Sequence, residues 1–387
     1  MDFRNDMLTE MDRRLGQQAI VIADSMNSQN ALGLDYNGDY GKDLFSLKSI
    51  RINQSSTNSS LSHNVSIRPE AGKSNEITTD TYSLTMTSAT TFDVKGYDSN
   101  GKANGVFIGV DLITAVPSAD GYVSIPGLGL EVKLQQDPNV NFANGDLYQF
   151  TPTSGAAAGI SVAAGTGEQF AFNAPIIVSS DLTNISNAQI SLSDITDVDS
   201  ASSGFAFGGG LDATAPQSIR FTLADEYEVI DGGGNILATV SGVTDYNNLL
   251  EQAGLSAAGY DVSVSSIPTP GDSFEMTFNS SGTGDNFNGL KLADLQNQNL
   301  VEGGRSYTQS YTAMVTNVGS QTHSLKLNLD SSDTVLQQSL NRRDEVSGVS
   351  MDEEAVKLVR FQQSYSASAQ VITAARDTFQ TLLNAVR

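Results

Sequence analysis

The sequence predicts an α+β multidomain protein, a long α-helical, coiled-coil-like rod formed by both ends of the chain with two inserted, mainly antiparallel β domains. Three observations predict it. Both ends carry apolar residues spaced three and four apart, the middle alternates apolar and polar residues, and the alternating runs recur as a diverged internal repeat. The boundaries fall at 1–48 for the N-side helix, 49–182 and 183–283 for two related β domains, and 284–387 for a C-terminal helical hairpin.

From Asp2 to about Gln29, Leu8, Met11, Leu15, Ile22 and Met26 recur on one face, with Met7 and Ala19 beside it. That is an amphipathic helix, ended by Gly33 and Asn37-Gly38. From about 49 to 283 the composition turns to Ser, Thr, Asn and Gly. Leu128 to Leu134, Tyr260 to Val264 and Phe274 to Phe278 alternate strictly, as strands with one buried face do. Asn100-Gly101, Asn104-Gly105, Asn144-Gly145 and the run Asp231 to Asn235 supply the turns. Tyr82 to Met86, Phe92 to Val94 and Gly145 to Thr151 parallel Ile219 to Leu223, Tyr227 to Val229 and Gly271 to Thr277, the last pair without a gap. The stretches Asn53 to Ser62 and Gly204 to Gly210 read as linkers or exposed loops.

Helical periodicity resumes at about 284. Ser306 with Gln309 predicts a cap, followed by a stripe of Tyr307, Tyr311, Met314, Val318, Leu325, Leu329, Leu336 and Leu340 that Gly348 breaks. Ser350 with Glu353 fits a second capping box; Asp352 to Glu354 sit where the helix dipole favours acid, and Arg360, Arg376 and Arg387 lie further along. In this last helix Leu358, Phe361, Tyr365, Ile372, Ala375, Phe379, Leu382 and Val386 keep the 3.5-residue period of an a/d seam. Two long helices around a short break predict an antiparallel hairpin, with the Asp2 to Gln29 helix as its third member. A narrow seam needs a partner. Six large seam residues at about 1.5–3 kcal/mol each would contribute on the order of 10–15 kcal/mol, once another helix covers them.

Val349 to Glu354, Leu358 to Ala369 and Phe379 to Asn384 resemble the C-terminal signature of bacterial flagellar rod, hook and hook-associated proteins. Gly284-Asp285-Asn286, Leu290, Ala293 to Asn297 and Leu300 are similar to the branch that joins hook to filament, as are Asp2-Phe3-Arg4 and Gly33 to Gly38. The resemblance is uninterrupted from about 284 to 387 and covers the β region only in style. It implies a structural component of the bacterial flagellum, extracellular and exported without a cleaved signal peptide, that joins hook to filament by self-assembly through its terminal helices. The partners it implies are other copies of the chain, neighbouring hook and junction proteins, and an export chaperone holding the C-terminal helix. It maps the assembly and chaperone interface onto Leu358, Phe361, Tyr365, Ile372, Phe379, Leu382 and Val386. Members of that family carry further helices ahead of anything resembling residues 1–48. The chain is therefore expected to be a C-terminal portion lacking the N-terminal helical half, which would leave Phe379, Leu382 and Val386 poorly covered.

Composition narrows the alternatives. Of 387 residues 39% are hydrophobic, enough for real cores, and the formal net charge of −23 opposes binding to nucleic acid or an anionic membrane. No cysteine is present, which removes disulfides, thiol nucleophiles and cysteine-bound metals. Residues 1–30 lack a secretory signal, and no run approaches the ~20 apolar residues of a membrane span. The two histidines, His63 and His323, are far apart and read as surface residues, offering neither a triad nor a metal cluster. The run Asp35 to Asp39 has its glycine misplaced for a calcium loop and reads as a capped turn, while Asp194, Asp197 and Asp199 read as a solvated acidic loop. No catalytic, cofactor or metal site is expected, and so no enzyme. Two other readings compete with the first. One is another flagellar axial protein, such as the second junction protein or a hook protein, against which residues 284–300 argue. The other is a surface adhesin or carbohydrate-binding protein, against which the absence of Trp argues.

Overall fold

The structure, a computed structural model, describes residues 3–301, 303–348 and 350–386. Met1, Asp2, Val349 and Arg387, named above, lie outside it, as do the side chains of Phe3 and Arg4. The chain forms two compact units, Met1–Met314 and Val315–Arg387.

The first unit opens with α1, Phe3–Ala31. Its buried face differs from the expected one: Leu8 and Leu15 are exposed, whereas Gln17, Gln18, Ile20, Val21, Ala23 and Asn30 are buried. The reason is what the helix lies against. Loop backbone presents N–H and C=O groups that must be paired, and amide side chains can pair them where an apolar stripe cannot. Asn30 accepts from Ala171 N at 2.9 Å and donates to Lys42 O at 2.7 Å. Asn27 accepts from Leu44 N at 2.8 Å and donates to Phe45 O at 2.8 Å, and Gln17 donates to Ile77 O at 2.7 Å. Asp12 and Asp24 accept the amides of Gly155 and Gly72. Gly16 permits the closest approach, because a Cβ there would stand 1.7 Å from the Thr153 carbonyl oxygen.

From Phe45–Ser46 (β1) the chain runs through Ile52–Gln54 (β2), Asn64–Pro69 (β3), Thr81–Met86 (β4), Thr91–Tyr97 (β5), Ala103–Asp111 (β6), Val123–Ile125 (β7), Leu130–Gln135 (β8) and Leu147–Phe150 (β9). After Ala156–Gly159 (α2), Ser161–Val162 (β10) returns to pair with β1. Then follow Ile176–Ser180 (β11), Ile190–Ile195 (β12), Pro216–Leu223 (β13), Glu226–Asp231 (β14), Ile236–Ser241 (β15), Leu249–Gln252 (α3), Tyr260–Val264 (β16) and Ser273–Phe278 (β17). Two five-stranded antiparallel sheets result, ordered β2-β9-β4-β5-β6 and β11-β17-β13-β14-β15. Their plans are the same: an early strand at one edge, the last strand beside it, then a three-strand meander. Companion sheets β3-β8-β7 and β12-β16 lie beside them. The strands whose sequences run parallel, β4, β5 and β9 against β13, β14 and β17, hold the same places in the two sheets.

Burial follows the pleat. In β14 every second residue, Tyr227, Val229 and Asp231, is buried. Each sheet has its own apolar core, one around Tyr82, Phe92, Tyr148 and Phe150, the other around Phe221, Tyr227, Tyr260 and Phe274. Two sequence expectations change here. β11 precedes the 182/183 boundary yet pairs with β17 in the second sheet, so the second domain begins before residue 183. Nor are the supposed linkers all exposed loop. Asn53 to Ser62 contributes to β2, and Phe205 within the Gly-rich stretch plugs the second core, a lone apolar residue that no periodicity marks.

The polar stretch also supplies a clamp that occurs twice. Asn58 exchanges hydrogen bonds with the backbone of Leu147, donating to its O at 3.1 Å and accepting from its N at 2.8 Å. Asn184 does the same with Ser273, at 2.8 and 2.7 Å. Asp146 accepts from Ser59 N at 2.6 Å and Ala143 N at 2.9 Å; Asp272 accepts from Ile185 N and Thr269 N, both at 2.8 Å. Residues 58, 59, 143, 146 and 147 thus answer to 184, 185, 269, 272 and 273, each 126 positions later. His63 belongs to the first clamp and is not a surface residue. It is 5% exposed, its ring stacks on Phe142 at 4.1 Å, and its Nδ1 accepts from Asp137 N at 2.9 Å. A loop rich in serine gave no sign that it folds over a core.

Two further helices follow, Phe287–Asp294 (α4) and Tyr307–Ser347 (α5). Asn288 of α4 is fully buried and donates to Gln29 O at 3.0 Å. The cap expected at α5 is present: Gln309 N donates to Ser306 Oγ at 3.3 Å and Ser306 N to Gln309 Oε1 at 3.1 Å. Met351–Ala385 (α6) begins where Ser350 Oγ accepts from Glu353 N at 3.4 Å. The packed antiparallel hairpin is not what these helices form. Within the second unit Leu325, Leu329 and Leu336 of α5 are exposed, as is every described residue of α6. Each stripe is one seam wide and flanked by Ser, Thr, Asn and Asp, so a two-helix contact would bury little apolar area while desolvating polar side chains.

Candidate assembly surface

Helix α6 lays out its side chains by a simple rule. At ~100° per residue, steps of three and four nearly cancel, so the row that starts at Leu358 drifts by only ~20° per heptad and winds slowly about the helix as far as Leu382, about 36 Å away. Phe361, Tyr365, Ile372, Phe379 and Leu382 continue the row, so six of the seven predicted residues lie along one helix; Val386 is its C-cap, just past the last turn. None is covered. Phe361 is 74% exposed, Phe379 67%, Leu382 60% and Val386 85%, in keeping with the poor coverage expected of the last three. Leu358 and Tyr365 are exposed as well, contrary to the expectation that a hairpin partner covers them.

The polar side chains beside the seam are, by contrast, already satisfied. Ser368, Thr373, Thr378 and Thr381 each donate to the carbonyl four residues back, at 2.8, 2.9, 2.6 and 2.7 Å. Hydroxyls turned onto their own backbone ask nothing of a partner. What the surface offers is apolar area with no ionised group in its row, and its chemistry is docking. Leu383 was missed by the seam reading; it follows Phe379 by four residues, the spacing that shares a face, and it is exposed too.

Elsewhere the titratable groups are engaged locally. Asp194 pairs with Lys291 at 3.0 Å, Asp197 and Asp199 accept nearby backbone amides, and Asp35 accepts from Asn37 N and Asp39 N as a capped turn does. Among the described residues, no group of three or more His, Asp or Glu is placed to hold a metal ion. Ser59, His63 and Asp146 approach one another without forming a triad. The Ser59 hydroxyl donates to Asp146 at 2.6 Å, leaving it no proton for the ring 3.1 Å away to withdraw.

Most of the surface lies in a stretch that resembles known proteins. Residues 1–45 match the flagellar hook-associated protein FlgK helical domain, and residues 337–385 match the flagellar basal body rod FlgEFG protein C-terminal family. Flagellar hook-associated protein 1 of Salmonella typhimurium is 25% identical over 384 residues, 99% of this chain and 48% of that protein. The chain resembles hook-associated protein 1 along nearly its whole length. The Escherichia coli hook-associated protein 1 is 40% identical over 104 residues, 27% of this chain and 19% of that protein. Among solved structures, the flagellar hook junction protein FlgK from Burkholderia pseudomallei superposes with a TM-score of 0.56 at 22% identity, over 87% of this chain and 60% of that one. That likeness bears out the α+β multidomain fold. The chain spans about half the length of the curated hook-associated protein 1 relatives it matches.

Proposed function

We propose that this chain is a structural component of the bacterial flagellum that joins hook to filament, and that it self-assembles through α6. The observation carrying the proposal is the uncovered seam from Leu358 to Val386, within a chain matched over 99% of its length by a flagellar hook-associated protein 1. Covering it would contribute on the order of 10 kcal/mol, from which the entropy of association is subtracted. Other copies of the chain and neighbouring hook and junction proteins are its partners at the flagellum. An export chaperone would shield the same seam before assembly and let the chain leave the cell without a cleaved signal peptide. Catalysis has no part in this role.

The test is sedimentation of the chain alone and with isolated hook fragments, beside a Phe361→Asp/Ile372→Asp variant. The parent is expected to self-associate and to co-sediment with hooks, and the variant to do neither. Equal behaviour of the two would overturn the assembly role of α6.

A further inference from the structure

The duplicated clamp provides an internal control on surface chemistry. Positions 56, 59 and 141 of the first β unit answer to 182, 185 and 267 of the second by the same interval of 126 that relates the Asn and Asp anchors. In the first unit these are Ser56, Ser59 and Asn141, all exposed. In the second they are Leu182, Ile185 and Ile267, exposed by 101%, 80% and 67%. The clamp therefore folds with polar residues there. Apolar side chains at three matching positions serve something other than the clamp.

The segments bearing two of the three are joined through one carboxylate. Asp272 accepts from Ile185 N and from Thr269 N, which brings the turn bearing Ile185 against the loop bearing Ile267. In the first unit the corresponding neighbours touch, Ser59 Oγ standing 3.3 Å from Asn141 O. Leu182 sits within the turn closed by Asn184 N on Asp181 O.

We propose that Leu182, Ile185 and Ile267 form a docking patch for a second copy of this chain, used between copies that the seam of α6 has already brought side by side. Size selects the occupant. Three such side chains present at most roughly 400 Å², about half of the ~800 Å² that each partner of a stable free complex buries. A contact this small becomes significant only when its partner is held close, as linked weak sites are. The inference rests on the assembly role of α6.

The experiment compares the full chain with a Leu182→Ser/Ile185→Ser/Ile267→Asn variant and with the Phe361→Asp/Ile372→Asp variant, reading thermal unfolding and self-association by sedimentation. The patch variant is expected to unfold at the parental temperature and to associate at least tenfold more weakly. If it associates like the parent while the α6 variant does not, the patch is overturned and the α6 role stands. If the α6 variant associates like the parent, or the parent stays monomeric, both fall. Because the chain has no cysteine, a Leu182→Cys chain carrying an environment-sensitive dye gives a second readout that leaves the fold alone. Its emission is expected to shift to the blue as the chain self-associates, while the same dye on Ser56→Cys does not change. An equal response at both sites, or a shift already complete in the dilute monomer, would overturn the proposal, the latter by naming a segment of the same chain as occupant.

Discussion

Asp146 accepts the backbone N–H of Ser59 at 2.6 Å, and Asp272 accepts that of Ile185 at 2.8 Å in the corresponding place of the second sheet. Both carboxylates are almost fully buried, with a partner on each oxygen. Removing either would strand buried amide donors. Asp272→Ala is expected to destabilise the second β unit by about 2–4 kcal/mol, because buried donors to a charged acceptor lose their partner. Urea unfolding checks it. Hydrogen exchange should report faster opening of β17 with the first sheet unchanged, since the two cores share no residue.

The same carboxylates set an acid limit. Burial pushes Asp146 and Asp272 up, but surrounding amide and hydroxyl donors outweigh it and hold both below the ordinary 3.8. A lowered folded-state value gives stability that is fully present above 3.8 and lost as pH falls through the folded value. Asp261 acts in the opposite sense. Burial raises it despite three amide donors, so acidification relieves its charge from a higher pH. Unfolding free energy measured from pH 7 downward is expected to drop below about pH 4, and to drop less steeply in Asp146→Asn.

Gly16→Ala tests the docking of α1. The added Cβ meets Thr153 backbone, which cannot swing aside like a side chain, so a loss of about 2–3 kcal/mol is expected in chemical unfolding.

His63→Ala would remove the acceptor of the half-buried Asp137 N–H and open a space beside Phe142, at a cost of about 2–3 kcal/mol. Leu382→Ala, by contrast, is expected to leave the stability within about 0.5 kcal/mol of the parent, since that side chain is 60% exposed.

What the sequence made legible was whatever obeys a period. The α6 seam, the Ser306 cap, the alternation in β16 and β17 and the matched strands of the two sheets are all repeats of two, three and four, or of a longer interval. Misreadings occurred where local chemistry overrides period. Leu8 and Leu15 form a convincing stripe, yet α1 turns Gln17, Asn27 and Asn30 inward because loop backbone needs their amides. Asn58 lies in a stretch whose composition is that of a linker, and only its partner 89 residues away makes it an anchor. Partners at that distance leave no mark on their neighbours.

The two clamps speak only to main chain. Asn58 and Asn184 present the same groups to the same kind of backbone edge, so neither anchor can recognise its own strand by side chain. Fidelity then falls to the dissimilar cores, Tyr82 and Phe150 on one side and Phe221 and Phe274 on the other. Strand exchange between the halves is therefore the error to expect on refolding from denaturant, with β9 seated at Asn184 or β17 at Asn58.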